Sequence, residues 1–293
     1  MKKILTTLLL LLVGTPAGAD ELVKLRAEIA DARTQKPEAF AAVEQLRAKL
    51  VKSPPTWEHR AQVSRTFKAL GPAALYPLLA VVAPDSAAVR NLAPTTRTIF
   101  LVSAIEALAA MKDRRALAAY HQIVDGLETE PLIVRAATQA IGALDTEEDA
   151  SYLIARAQPG QPRELAAIAG LGYCRRTSAA THLSARLDAH PAATETAAIA
   201  EAMGWLGSSW AWTALGPQRA AEGAQLRDRL AASLVAAYPN YSGQERQAIG
   251  EALLLVEHPA TPNRLAQLRA HADVPLAADL LSLERRFTLA GNR

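Results

Sequence analysis

Large apolar residues recur along this chain in pairs twelve positions apart, each pair enclosing a polar, Gly- or Pro-containing break. Six segments share this template: Phe67–Leu79, Leu108–Tyr120, Ile141–Leu153, Leu171–Leu183, Met203–Leu215 and Leu253–Leu265. In each, another apolar residue or a cysteine stands three positions in, and a new apolar phase begins after the break. Such a change of phase reads as helix, tight turn, helix. Recurrence at steps of about 30 to 50 residues predicts a stacked array, because a unit of this size cannot bury its apolar face alone. The expected fold is therefore all-α, an α-solenoid of about six helical hairpins.

The flanks of the template complete the picture. Leu22, Leu25 and Ile29 share one helical face, as do Phe40, Val43, Leu46 and Leu50 after the break at Lys36-Pro37. These positions predict an N-terminal hairpin over 20–55, which serves either as the polar-faced cap that a stack needs or as an arm for a partner. The array then runs over 56–272. Residues Ala83 to Thr98, rich in Pro, Asn, Ser and Thr, read as a loop. Leu226, Leu230, Leu234 and Tyr238 predict an extra or lengthened helix before the last hairpin. Pro275 opens a helix through Phe287, giving a C-terminal capping helix and tail over 273–293.

Residues 1–19 have the layout of an export leader. Lys2 and Lys3 precede the apolar run Ile4–Val13, and Ala17-Gly18-Ala19 supplies a small-x-small cleavage pattern. An uncleaved amphipathic helix is the alternative. Cleavage near Ala19 would send the chain out of the cytoplasm, to the periplasm in a Gram-negative cell or into the medium. It would also change the electrostatics. The whole chain carries 32 basic and 29 acidic residues, and loss of Lys2 and Lys3 leaves 30 against 29. A charge near zero gives no basis for nucleic-acid binding. A single cysteine, Cys174, allows no intrachain disulfide. It occupies the apolar position filled by Leu70, Met111, Leu144, Leu206 and Val256 in the other segments, so it reads as a buried hydrophobe.

The strings LGPAALYPLL, AIGALDTEEDASYL and AMGWLGSSWAWTAL are close to the pattern A-x-G-x-L-G-turn-A-x-x-x-L. In this they resemble HEAT repeats of the short bacterial type related to those of phycobilin lyases. The resemblance covers Thr56 to Ala272. It implies antiparallel helix pairs in a curved right-handed array, with second helices lining the concave side. The steps before Leu108 and Leu253 are longer than the pattern, and the last turn carries Glu257-His258-Pro259. A fold of this kind says little about activity, which resides in sites grafted onto it.

Candidate contact residues follow from the register. Trp205 and Trp212 fall at positions that predict core. Trp210 matches the polar turn positions Arg115, Glu148 and Ser178, so it either packs on a neighbouring turn or stands out as an anchor for a partner. Arg156 and Arg186 occupy one site on consecutive second helices, as a solvated face or as a guanidinium pair able to grip a carboxylate or phosphate. His121 and Asp125 share a helix face, but no metal motif, phosphate loop or catalytic constellation is present. No cofactor is expected. The sequence thus predicts an exported, non-catalytic scaffold that binds a protein partner through Trp210, Arg156 and Arg186. A lyase-like or small-molecule-binding protein is the alternative.

Overall fold

The computed structural model describes residues 18–83 and 86–291. Apart from Gly18 and Ala19, which open the first helix, the predicted leader lies outside the described residues. Among the described residues every regular element is helical. Two helices lead in, α1 (Gly18–Gln35) and α2 (Pro37–Lys52). Helix pairs follow: α3 (Arg60–Ala69) with α4 (Leu75–Val82), α5 (Pro94–Met111) with α6 (Leu117–Asp125), and α7 (Pro131–Leu144) with α8 (Glu147–Arg156). Next come α9 (Glu164–Leu171) with α10 (Thr177–Asp188), then α11 (Ala193–Leu206), α12 (Ser209–Thr213) and α13 (Ala220–Ala237). The chain ends in α14 (Gly243–Val256), α15 (Thr261–Arg269) and α16 (Val274–Gly291).

Each template segment spans the end of one helix and the start of the next. In the fifth, the second helix is the five-residue α12, and the 18-residue α13 follows it. The loop expected over Ala83–Thr98 is shorter than predicted. Pro94 occupies the first turn of α5, where its missing N–H costs nothing, so Thr95 to Thr98 are helical.

Packing follows chain order. The first helices form a row in which α3 meets α5, α5 meets α7, α7 meets α9, α9 meets α11 and α11 meets α14. On the second-helix side, α4 meets α6, α8 meets α10, α10 meets α13 and α13 meets α15. The lead-in helices are seated on the second-helix side. There α1 lies against α4 and α6, and Leu25, Ile29, Val43 and Leu50 are buried. At the other end α16 packs on α15 and α14, burying Leu280, Leu283 and Phe287. Cys174 is fully buried as its register position predicts, and burial pushes its thiol pKa up to about 12.

Small residues set the spacing of the first-helix row. A Cβ on Gly142 would stand 2.1 Å from the Gly170 carbonyl oxygen, and one on Gly170 would stand 2.6 Å from that of Thr138. Thr138 also reaches across, its Oγ1 donating to the Ala166 carbonyl at 2.6 Å. Gly172 meets Ala202, and Gly204 meets Ala252, in the same manner. Gly170→Ala should therefore lower stability by about 2–3 kcal/mol, overpacking outweighing the roughly 1 kcal/mol that alanine gains in helix propensity. Gly250→Ala, whose Cβ would meet only ordinary contacts at 3.6 Å or more, should be neutral or stabilising. Urea denaturation of the two variants checks the contrast.

Candidate functional site

The first-helix row carries an open apolar groove of about 700 Å³ across α7, α9, α11 and α14. One large apolar side chain from each helix stands partly exposed in it: Leu132, Leu165, Trp205 and Leu255. Its floor is low because α9 is only eight residues long and presents Ala166 and Ala169. With nothing larger between them, Arg135 on α7 and Glu201 on α11 pair across α9 at 2.5 Å. Trp205 is 41% exposed and stacks on Tyr173, ring centroids 6.1 Å apart.

Trp205 is thus not core, contrary to its register. The equivalent positions explain this: Ala110 is exposed and Ala143 and Tyr173 are half-buried, so the position points along the open face of the row in every unit. Small residues conceal that direction, and a tryptophan reveals it. Trp212 is buried as expected, its Nε1 donating to the Leu206 carbonyl at 2.8 Å while its ring covers Gly223. Trp210, on α12, is 78% exposed, and this decides between packing on a neighbouring turn and standing free.

The two arginines are already engaged. Arg156 makes two hydrogen bonds of 2.6 Å to the Asp125 carboxylate and lies 3.5 Å above the Tyr152 ring. Arg186 is nearly excluded from solvent, paired with Glu164 at 2.6 Å and with Glu195, and it donates to the Ala157 carbonyl. Neither guanidinium is a free grip for a ligand anion. Each finds a carboxylate on a neighbouring helix that repeat register alone does not align with it. Arg156, Arg186 and Trp210 do not line the groove, which lies on the first helices and not on the second helices expected to line the binding side.

His121 and Asp125 do not form an open ligand pair either. Both Asp125 oxygens are held by Arg156 and Tyr152, and the His121 ring stacks on Tyr152 at 4.0 Å. No group of three metal-ligating side chains occurs among the described residues, and no helix there is long and apolar enough to cross a membrane. The groove residues left a faint trace in the sequence. The segment of α9, ELAAIAGL, is apolar almost all round, and such a helix must cover its second face or leave it open. No family model and no curated protein matches the chain.

Three histidines have pKa values below the ordinary 6.5, in each case chiefly through burial. For His121, Arg156 adds to the depression, while Asp125, Asp149 and Glu21 oppose it. Such a group favours the folded state fully above pH 6.5, and that contribution is lost as pH falls from 6.5 through the folded value. Carboxylates whose pKa is lowered, such as Glu128 and Glu222, stabilise fully above their ordinary 4.5 and lose that contribution only below it. Melting temperature should therefore drop between pH 7.5 and 5.5. His121→Phe, which keeps a ring against Tyr152 but cannot titrate, should drop less over the same interval.

Proposed function

We propose that the chain is an exported, non-catalytic scaffold built from HEAT-like hairpins as an α-solenoid, and that it binds a protein partner of the cell envelope. The leader-like start supports export. The repeated template and the chain-order packing of the first helices support the solenoid. The partner docks in the groove across α7, α9, α11 and α14. The observation that carries this is the set of large apolar side chains, Leu132, Leu165, Trp205 and Leu255, exposed together in one groove and drawn from four helices. Apolar side chains gathered in this way on a folded surface mark a site of association. Trp205 is the natural anchor, since a half-exposed tryptophan braced on one side by Tyr173 loses little freedom on binding. Trp210 is a second contact, outside the groove.

A small apolar molecule is the second reading, because about 700 Å³ also falls within the range of ligand sites. Release of an organic or coloured compound on denaturing the purified protein would favour it.

In-cell crosslinking of the tagged protein beside Leu165→Asp and Trp205→Ala tests the leading reading. A single dominant crosslinked protein is expected, with Trp205→Ala weakening its binding by about 30-fold, the effect of losing a hot-spot residue worth ~2 kcal/mol. Leu165→Asp should abolish capture with an unchanged melt, because both side chains are partly exposed. Equal capture by all three proteins would sink the groove as the docking face.

A further inference from the structure

We infer that the groove receives a single amphipathic helix, acidic at the end that lies over α7 and α9 and basic at the end that lies over α14. This rests on the groove being the docking face proposed above, and it goes further by giving the chemistry and polarity of the occupant.

The first step concerns backbone. An extended peptide brings main-chain N–H and C=O groups that must find partners when they leave water. The floor of this groove is alanine side chains on helices whose own main chains are already bonded, so it offers no edge for strand addition. A helix satisfies its main chain internally and needs only an apolar face. The groove provides the match, with Leu132, Leu165, Trp205 and Leu255 stepping across four successive helices. Helices in contact lie about 8–10 Å apart, and small residues at the contacts favour the lower figure. Three such steps span roughly 25 Å, the length of about sixteen to seventeen helical residues.

The second step concerns charge. Four charged residues line the groove, and Arg135 and Glu201 neutralise one another. The remaining two have no ion-pair partner among the described residues. Arg163, on the α7–α9 side, donates only to the Glu128 carbonyl, and Glu251, on the exposed face of α14, accepts only from Gln247. An unpaired cation on one side and an unpaired anion on the other select an occupant of opposite polarity. An apolar lipid or small ligand would leave both charges unanswered.

The test uses two amidated, acetylated 17-residue peptides of one composition, each with a leucine face at i, i+4, i+7 and i+11. One carries Glu in its first turn and Lys in its last, and the other carries the same Glu and Lys together at the centre of its polar face. Fluorescence anisotropy against the full purified protein at low salt should give about tenfold tighter binding for the peptide charged at its ends, two rim contacts at ~0.7 kcal/mol each. The double variant Arg163→Gln, Glu251→Gln, with both changes at the rim and folding verified by circular dichroism, should remove the preference, and a preference that survives it overturns the charge placement. Equal binding of both peptides overturns the polarity. If neither peptide binds although Leu165→Asp still abolishes in-cell capture, the groove docks a protein but not a helix, and the inference fails alone. A concentration-dependent dimer lost in Leu165→Asp would make the occupant a second copy and also overturn it. If capture survives Leu165→Asp, the docking reading itself falls.

Discussion

The close approach of the first helices at Gly142, Gly170, Gly172 and Gly204 is the constraint from which the rest of the structure follows. At each of these positions a neighbouring helix occupies the space of a side chain: the carbonyl of Gly170, the carbonyl of Thr138, then Ala202 and Ala252. Contact this tight brings many dispersion pairs into range and allows a hydrogen bond between helices from Thr138 to Ala166. Four large side chains of these helices stand on the open side of the row. They are Leu132, Leu165, Trp205 and Leu255. Tight packing and an exposed apolar surface are thus properties of the same helices.

A second set of interactions runs along the turns. Asp145 ends α7 in the left-handed conformation, φ 63°, and receives Arg219 from 74 residues away at 2.5 Å as well as Arg176. Asp149, almost wholly buried, is capped by Thr146 and paired with Arg114 of the preceding unit at 3.0 Å. Arg227 donates to the Val256 and Glu257 carbonyls at the end of α14. Apart from the Thr146 cap, each of these bonds joins one unit to another. In a chain with a single, buried cysteine, these links hold the units in register without a disulfide between them. The turn edge consumes its charges internally, Arg156 does the same between second helices, and Arg186 is matched by carboxylates at the starts of α9 and α11. Arg163 and Glu251 stand apart from this pattern.

The hairpin positions were legible because the distance between the last apolar residue of one helix and the first of the next is fixed by turn geometry, so the twelve-residue spacing survives changes of residue type. The α13 helix was legible for the same kind of reason, its leucines recurring every four residues. What register could not supply is direction. The position shared by Ala110, Ala143, Tyr173, Trp205 and Leu255 is apolar throughout, and apolar character alone does not say whether it faces the second helices or the open side of the row. Carboxylate partners were hidden likewise. Glu164 and Glu195 flank Arg186 from two different helices, at separations that no local pattern encodes. The turn Gly207-Ser208-Ser209-Trp210 left open whether its aromatic packs or stands free, and the groove comes from helix faces, which are the hardest part of a repeat to orient from one sequence.

The bridge between Arg135 and Glu201 bears on how the groove could bind. Both side chains are more than two-fifths exposed, so the pair contributes little to stability. Its effect is geometric. By closing over α9 it turns two mobile charged chains into a fixed part of the lining and hides their charge from an incoming surface. An occupant then meets alanine, leucine and tryptophan along most of its length and charge only toward the two sides. In such a site the apolar contacts supply affinity and the outer charges supply orientation. The same separation of roles holds within the molecule, where glycine and alanine contacts set the spacing of the helices and the turn-edge ion pairs fix which helix stands beside which.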